Sequence, residues 1–404
     1  MSGEPAGRRD TTEASAVGTA PAEPPAAVGA VPVVPTDPTV AVYEAEAPRW
    51  KAEREPTDHG PARRFGERVA AARRAGGSTG PVVDLGCGPG WFTGDLVGDT
   101  GASAIALDHA GAMLDLVATE APGVPRVQAS LAALPFRRGA LGGAFAAKSY
   151  VHVAQSATPL ALADLHRATA VGAPVEVLVF SGDEELAPLA EDDFPGRRFS
   201  AWPEARLADV VTGAGFDLGR IEGGDPDAPT RHLRVVATRA RTLPDTVGPQ
   251  MRLLVCGLNP SVYSADRGIG FARPGNRYWP AALAAGLVTR DRDPVHALTA
   301  HGIGMTDVVK RATARADELA RHEYRDGMAR VERLAHWLRP GAICFVGLAG
   351  WRAAVDRKAV AGEQPEGLGG VPVYVMPSTS GLNAHSTPAD LADHLRAAAA
   401  LADA

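Results

Sequence analysis

Two short stretches of the chain have residue types and spacings that can do chemistry. In Val82–Gly90 (VVDLGCGPG), a carboxylate and three alternating glycines follow the start of an apolar run. In CGLNP, the carboxamide of Asn259 follows a second apolar run, and the segment FARPGNRYW lies beyond it. Polar groups at the carboxyl ends of parallel strands line the ligand crevice of an open α/β sheet. Both stretches are therefore candidate sites if the apolar runs are strands of parallel sheets.

Alternating strand and helix patterns predict such sheets on both sides of a Pro- and Gly-containing segment. Upstream, runs such as PVVDLG, AIALD and PVEVLVF alternate with helical segments, and a second alternation begins at RLLVCG. This order is typical of parallel sheets. We predict an α/β protein of two tandem α/β/α domains, a Rossmann-like fold followed by a fold with a short parallel sheet. The expected boundaries are a disordered tail at 1–42, a domain at 43–239, a linker at 240–250 and a domain at 251–404.

The composition restricts the class of protein. The tail is rich in Ala, Pro, Glu and Thr and lacks an apolar signal-peptide core, and no run approaches the roughly 18 apolar residues that span a bilayer. We therefore expect a cytoplasmic protein without membrane contact. The three cysteines form no CxxC pair, so no metal site is predicted and a four-cysteine cluster is excluded.

The formal net charge of −6 is distributed unevenly along the chain. Residues 251–404 carry 18 Lys and Arg against 15 Asp and Glu, a net charge of +3, which leaves −9 for residues 1–250. An acidic first half and a slightly basic second half suggest different partners. The asymmetry is too weak to identify nucleic acid by itself.

The glycine-rich stretch is a candidate nucleoside-binding turn. Its glycines permit a sharp turn and a close approach of a ligand, and a carboxylate ending the next strand can accept both ribose hydroxyls. The pattern resembles the class I S-adenosylmethionine-dependent methyltransferases over about residues 62–238. The resemblance implies S-adenosylmethionine as cofactor. The implied contact residues are Asp84, Gly86, Gly88 and Gly90 on the methionine half and Asp108 on the ribose. The alternative is a decayed site that now only supports the fold, and the methyl acceptor is not readable.

Four motifs of the second half occur in one order: GLNP, FARPGNRYW, GMTDVVKRAT and MPSTSGL. Together they resemble the mismatch-specific uracil-DNA glycosylase and thymine-DNA glycosylase family, from Arg252 to about Leu401. The resemblance implies a monofunctional DNA glycosylase that hydrolyses the N-glycosidic bond of uracil, with thymine and other damaged bases as further substrates, and that needs no cofactor or metal. The expected partner is double-stranded DNA with a mismatched or damaged base. The oligomeric state is not readable, and a monomer is expected.

The resemblance also implies roles for individual residues, each with a structural alternative. Asn259 would position the attacking water, since an oxocarbenium-like transition state needs no strong base, or else it is an Asx-turn residue. Phe271 would stack on the extruded base, or else pack its own loop. Leu382 would fill the gap left by the base, or else lie in the core. The neighbouring groups expected to contact base or phosphate belong to Leu258, Ser380 and Gly381.

Two other functions remain open from the sequence. One is a methyltransferase whose second half only targets DNA, and the other is a non-catalytic DNA-binding protein in which both sites have decayed. Neither function requires the pair Asn259 and Phe271, so the presence of both residues favours the glycosylase.

Overall fold

A computed structural model describes residues 37–56, 58–96, 101–223 and 231–404 of the protein. Most of the predicted tail, residues 1–42, lies outside the described residues. Helix α1 (Pro38–Glu53) begins within that range, where the Asp37 carboxylate accepts a hydrogen bond from the Thr39 backbone N–H at 2.8 Å. The boundary at residue 42 stays a prediction, and helical backbone begins before it.

The first half of the described chain forms a sheet of eight strands. The strands are β1 (Val82–Leu85), β2 (Ala104–Asp108), β3 (Arg126–Gln128), β4 (Gly143–Ala147), β5 (Pro174–Ser181), β6 (Ala201–Trp202), β7 (Phe216–Gly223) and β8 (His232–Arg239). Their order is β3-β2-β1-β4-β5-β8-β7, with β6 paired to β5. Strand β8 runs antiparallel to both of its neighbours, β5 and β7, and the other strand pairs of this described sheet are parallel. The carboxyl ends of β1 and β2 therefore lie side by side.

Helices pack against both faces of this sheet. They are α2 (Gly60–Arg74), α3 (Gly111–Glu120), α4 (Thr158–Ala168) and α5 (Glu204–Gly213). Val82 of β1 is buried in a cluster with Phe65 of α2, whereas its neighbour Val83 is buried in a cluster with residues of α4 and α5. Because side chains alternate along a strand, a strand covered on both faces must be apolar throughout. That requirement accounts for the apolar run that precedes the glycine-rich loop.

The second half of the chain forms a five-stranded sheet. The strands are β9 (Leu253–Gly257), β10 (Ile303–Asp307), β11 (Ala342–Val346), β12 (Gly362–Glu363) and β13 (Val373–Met376). Their order is β10-β9-β11-β13-β12, and only the short edge strand β12 is antiparallel to its neighbour in this sheet. The loops after β9, β10 and β13 therefore meet at one edge.

Amphipathic helices cover the second sheet. The helices are α6 (Val262–Arg267), α7 (Tyr278–Ala284), α8 (Pro294–His301), α9 (Arg321–Leu338), α10 (Leu348–Ala354) and α11 (Pro388–Ala402). Helix α9 buries Val331 and Leu334 in one core cluster, and α11 buries Leu391 and Leu395 in another. Such three- and four-residue spacings put apolar side chains on one face of a helix. The predicted class, two tandem α/β domains with mostly parallel sheets, is confirmed. Among the described helices, none has the length and apolar character that crossing a bilayer demands.

Most of residues 242–248, within the predicted linker 240–250, are packed rather than exposed. Asp245 is 3% exposed, and its carboxylate accepts hydrogen bonds from Thr306 Oγ1 at 2.7 Å, Lys310 Nζ at 2.7 Å and Arg330 Nη1 at 2.8 Å. Burial raises the pKa of the Asp245 carboxyl, but Arg330 and Lys310 outweigh burial and hold that pKa below its usual value. The segment is thus anchored to β10 and α9 by buried charges.

Further contacts join the two domains around this network. Arg333 of α9 forms a salt bridge with Asp209 of α5, with 2.7 Å between Nε and the carboxylate. Trp337, one turn further on, packs edge-to-face on Trp202, with ring centroids 6.1 Å apart, and the Arg206 guanidinium lies over the Trp337 ring. Residues 37–404 accordingly form one compact unit.

A fragment of residues 251–404 is expected to be unstable, because it lacks the Asp245 carboxylate that pairs with Arg330 and Lys310. Removing one partner of a fully buried ion pair costs about 3–5 kcal/mol, and the cost here is smaller because the fragment also lacks Gly213, which packs against this network. A fragment of residues 241–404 keeps the carboxylate and should melt at a higher temperature by circular dichroism. The Asp245→Asn variant of this longer fragment separates the effect of the carboxylate charge from the effect of the ten added residues. It should melt well below the unsubstituted fragment of residues 241–404. Equal melting temperatures for these two longer fragments would show that the network is dispensable.

Candidate active sites

The glycine-rich loop after β1 has a backbone conformation that side chains disfavour. Gly86, Gly88 and Gly90 have φ angles of 64°, 54° and 93°. A Cβ at Gly86 would collide with Ser149, whose buried hydroxyl has no hydrogen-bond partner in the described structure. A Cβ at Gly88 would meet nothing within 4 Å. The loop thus leaves open space at Gly88 and an unused polar atom near Gly86.

Both predicted carboxylates lie beside this loop. Asp108, at the end of β2, accepts hydrogen bonds from the backbone N–H groups of Gly88 and Ala110, each at 2.9 Å. Asp84 is buried and accepts one from the Thr93 hydroxyl at 2.7 Å. Burial raises the pKa of both carboxyls, that of Asp84 to about 7. The structure therefore brings the five residues predicted for this site to one edge of the sheet.

Helix α1 closes one side of this edge. The Glu44 carboxylate accepts hydrogen bonds from the backbone N–H groups of Gly111 at 2.6 Å and Ala112 at 2.9 Å, at the start of α3. A carboxylate at the amino end of a helix is stabilised by the positive end of the helix dipole. Ala47 of α1 is buried in a cluster with Met113 of α3. The sequence offered no sign of this contact, because Glu44 lies 67 residues from Gly111 along the chain.

Asn259 lies just beyond the carboxyl end of β9 and is held by its amide nitrogen. Nδ2 donates to the Arg311 carbonyl at 3.0 Å and to Thr313 Oγ1 at 2.7 Å. Because a carbonyl can only accept, these bonds fix which end of the carboxamide is nitrogen. Oδ1 accepts no hydrogen bond from the described residues, so the Asx-turn alternative does not hold. The half-buried carboxamide presents a fixed and unused acceptor.

Phe271 is held in an uncommon backbone conformation. Its φ of 57° is rare for a residue with a side chain, and such conformations persist where neighbours enforce them. The Trp279 indole N–H donates to the Gly270 carbonyl at 2.8 Å, which fixes the adjacent peptide. The half-buried Phe271 ring stacks on Tyr278 with centroids 4.4 Å apart and planes at 27°. The ring is therefore positioned from two sides.

A small cavity of about 10 Å³ separates Phe271 from the end of β10. Asp307 lines it, is 7% exposed and accepts no hydrogen bond through its carboxylate from the residues that the structure describes. Burial raises the pKa of Asp307 to about 6, although Lys310 lowers it. A Cβ at Gly257 would collide with the Asp307 carboxylate, so the glycine of GLNP permits this close approach. Sequence reasoning missed Asp307, although it ends a buried strand just as Asn259 follows one.

The loop after β13 exposes a leucine at its tip. Leu382 is 93% exposed, which excludes the alternative of a core residue. The Arg277 guanidinium donates to the carbonyls of Ser380 at 3.0 Å, Asn383 at 2.7 Å and Ser386 at 2.6 Å. Arg277, which the sequence did not single out as a site residue, thus fixes the backbone of this loop through three hydrogen bonds.

The remaining residues predicted to contact base or phosphate lie in the same loops. The Leu258 carbonyl accepts a hydrogen bond from the Val309 N–H at 2.9 Å, so it is committed to the loop after β10. Ser380 Oγ accepts one from the Leu382 N–H at 3.3 Å. A Cβ at Gly381 would lie 2.9 Å from the Gly275 carbonyl oxygen, so the leucine loop touches the loop that follows Phe271. The contacts of these residues with DNA stay a prediction.

Comparison with protein families agrees with this division of the chain. Residues 244–401 match the family model of the uracil DNA glycosylase superfamily, and residues 82–172 match a methyltransferase domain model. The chain carries a domain of each kind. Both resemblances predicted from the sequence are thereby confirmed at the level of these families. The glycosylase match begins at residue 244, inside the segment that had been predicted as a linker and directly before Asp245.

Solved structures similar to the chain include S-adenosylmethionine-dependent methyltransferases. One, from Methanosarcina mazei, is 17% identical and covers 40% of this chain and 92% of its own, with a TM-score of 0.35. The 1,6-didemethyltoxoflavin-N1-methyltransferase of Burkholderia thailandensis, solved with bound 1,6-didemethyltoxoflavin and S-adenosylhomocysteine, is 19% identical over 52% of this chain and 92% of its own, with a TM-score of 0.40. A third, from Mesorhizobium loti, is 20% identical over 42% and 96%, with a TM-score of 0.33.

Asp307→Asn is expected to stabilise the protein at neutral pH. The folded-state pKa of about 6 exceeds the ordinary value of 3.8, so ionisation disfavours the fold. Native stability should therefore fall as the pH rises from about 4 through 6, while the asparagine variant escapes this loss. The variant should gain roughly 1–3 kcal/mol over the native protein at pH 7.5 and almost nothing at pH 4. Urea unfolding at both pH values measures the gain, and an equal difference at both would mean that Lys310 fully compensates the carboxylate.

Proposed function

We propose that the C-terminal domain is a DNA glycosylase that hydrolyses the N-glycosidic bond of uracil, and of related mismatched pyrimidines, in double-stranded DNA. The observation that carries the proposal is the Asn259 carboxamide, whose Nδ2 is committed to protein acceptors while Oδ1 accepts no bond from the described residues. An acceptor fixed in this way orients a water by taking one of its protons in a hydrogen bond. A lone pair of the water oxygen then remains free to attack C1′ of the deoxyribose.

A neutral carboxamide suffices for this chemistry. The transition state of glycosidic hydrolysis is oxocarbenium-like, so the bond between C1′ and the base nitrogen breaks largely before the water attacks. The electron pair of that bond leaves with the base as an anion, and the water oxygen bonds to C1′. The water then loses one proton to solvent, which leaves a hydroxyl group on C1′, and the base anion takes up a proton from solvent. Asn259 needs only to hold the water in place, which an aligned hydrogen bond achieves.

The base must leave the duplex before this attack. An extruded pyrimidine can stack on Phe271, a contact of about 1–3 kcal/mol, and the ionised Asp307 carboxylate can accept the N3–H of uracil or thymine. The cavity of about 10 Å³ holds roughly one water, so a base enters only when its wall moves. Residues of the 240–250 segment form part of that wall. The exposed Leu382 can fill the space that the base vacates in the duplex.

Asn259→Ala is expected to slow uracil release by about 10²-fold or more while the DNA affinity stays near its native value. The melting temperature should also fall, because the Arg311 carbonyl and the Thr313 hydroxyl lose a hydrogen-bond donor, but the variant should remain folded. A labelled duplex with a G·U pair, treated with alkali after incubation, reveals the abasic product. Single-turnover conditions prevent slow product release from hiding a chemical defect.

Asn276→Ala is the matched control for this test. The Asn276 side chain accepts the Tyr278 N–H at 2.9 Å in an Asx turn that leads into α7, a hydrogen bond worth about 1 kcal/mol of stability. Its loss should lower the melting temperature and leave the excision rate unchanged. Excision at the native rate by Asn259→Ala would reduce that carboxamide to a structural role.

We further infer that the N-terminal domain binds S-adenosylmethionine. The positive φ angles of the loop, the open space at Gly88 and the unpartnered Ser149 hydroxyl fit such a ligand. Asp108 keeps acceptor capacity for a ribose hydroxyl, because a carboxylate offers about four acceptor positions and the neighbouring backbone N–H groups do not use all of them. The cofactor, when bound, supplies an electrophilic methyl group. The chain's contribution here is to bind it and to hold its ribose.

Asp108→Asn is expected to weaken S-adenosylmethionine binding by about tenfold or more, since an amide replaces one acceptor oxygen with a donor. Isothermal calorimetry measures the affinity. Asp115→Asn, which changes an exposed carboxylate on α3, is the control and should bind as the native protein does. A native protein that shows no binding heat would leave this domain as a scaffold.

A further inference from the structure

Three arginines meet where the N-terminal domain touches α6 of the glycosylase domain. We call Arg138, Arg239 and Arg241 the boundary arginines. Arg138, in the loop between β3 and β4, reaches Gly268, the left-handed residue that ends α6, and a Cβ at that glycine would collide with the guanidinium. Arg241 pairs with Asp266 of α6 through two contacts of 2.6 and 2.8 Å. The end of α6 is therefore surrounded by positive charge from the other domain.

Two of the boundary arginines lack an anionic partner among the described residues. Arg138 forms no hydrogen bond or ion pair with them, and much of it is exposed. Arg239 is only 5% exposed, and its single hydrogen bond within the described structure runs from Nε to the His166 carbonyl at 3.3 Å. Burial, and then the proximity of Arg138, lower the pKa of Arg239 to about 10. Asp266, the nearby carboxylate, is already paired with Arg241.

This arrangement is costly unless an anion completes it. A buried cation without a counter-charge loses solvation free energy that a carbonyl oxygen restores only in part. Guanidinium groups match phosphate oxygens in geometry and bind them with two parallel hydrogen bonds. The sign of this cluster is opposite to that of its surroundings, because residues 1–250 as a whole carry a net charge of −9. The three arginines therefore form a positively charged patch on an otherwise acidic part of the chain.

We propose that the exposed Arg138, at the centre of the positive charge of the boundary arginines, contacts a backbone phosphate of the DNA on which the glycosylase domain acts, so that the N-terminal domain supplies part of the DNA-binding surface. The inference rests on the proposed glycosylase function and adds a second domain to its substrate site.

The length of α6 is compatible with this placement. Ser261 caps the start of α6 directly after Asn259 and Pro260, and Gly268 ends it. Six helical residues span about 9 Å, so the boundary arginines lie within the width of an ordinary protein–DNA contact surface from Asn259.

Arg138→Ala in the full chain tests the proposal. Fluorescence anisotropy with an undamaged duplex, over a range of salt concentrations, gives the dependence of affinity on salt. Loss of one phosphate contact should reduce the slope of log affinity against log salt by about 0.9 and weaken binding about tenfold near 0.1 M salt. The single-turnover rate of uracil release at saturating protein should not change, since Arg138 is remote from Asn259 in the proposed complex. The melting temperature at low salt should stay level or rise, because the variant removes repulsion on Arg239.

Arg339→Asn is the charge-matched control. Arg339 is exposed, lies before the amino end of β11 at the edge opposite Asn259, and has a φ of 46° that asparagine tolerates. Its salt slope should equal that of the native protein. Equal slopes for Arg138→Ala and Arg339→Asn would overturn the proposal, and so would a large fall in the melting temperature of Arg138→Ala with an unchanged slope, which marks a purely structural contact.

Two further outcomes separate the sources of the anion and the two proposals. If inorganic phosphate raises the melting temperature of the native protein but not of Arg138→Ala, while both proteins have the same slope of log DNA affinity against log salt, the cluster binds a small anion and the DNA proposal is wrong.

If the slope depends on Arg138 but the native protein releases no uracil, the phosphate contact stands and the glycosylase proposal falls. Uracil release with a slope independent of Arg138 would instead support the glycosylase and overturn the phosphate contact.

Discussion

The ionised Asp245 carboxylate neutralises two cations that lie deep between the domains. Arg330, one of them, also donates to the Thr306 hydroxyl and to the Asp307 backbone carbonyl, each at 2.9 Å. The position of β10's end, and with it the carboxylate that faces the Phe271 cavity, thus depends on a residue contributed from outside the five-stranded sheet. Charges buried this deeply are stabilising only while every partner is present.

The features that depend on local sequence could be predicted. Apolar runs followed by glycines or a carboxamide placed Asp84, Asp108 and Asn259 at strand ends, because a strand covered on both faces must be apolar and must stop where polar groups begin. The spacing of the glycines indicated a sharp backbone turn, and Gly86 and Gly88 have the positive φ angles that such a turn requires. The resemblances to the two domain families rest on motifs that lie in the same short stretches of sequence.

The contacts that bring distant segments together could not be predicted in this way. Asp245 looked like a linker residue because its partners are 61, 65 and 85 residues away along the chain. Arg277 braces carbonyls more than 100 residues distant, and a carbonyl has no side-chain identity that a sequence pattern could record. The contact of Arg138 with Gly268 of the other domain could not be predicted either, because a glycine in a sequence does not show which distant side chain lies beside it. Polar contacts between segments that are distant in sequence can be identified only from the folded structure.

The packing of residues 37–404 into one compact unit has a thermodynamic consequence. Because the two domains share buried charges and aromatic contacts, unfolding one of them removes contacts that stabilise the other. A ligand that binds only the folded N-terminal domain stabilises that domain by RT ln(1 + [L]/Kd), and the shared contacts pass part of this free energy to the C-terminal domain. The supply of that ligand would set how long the second domain survives in its folded state.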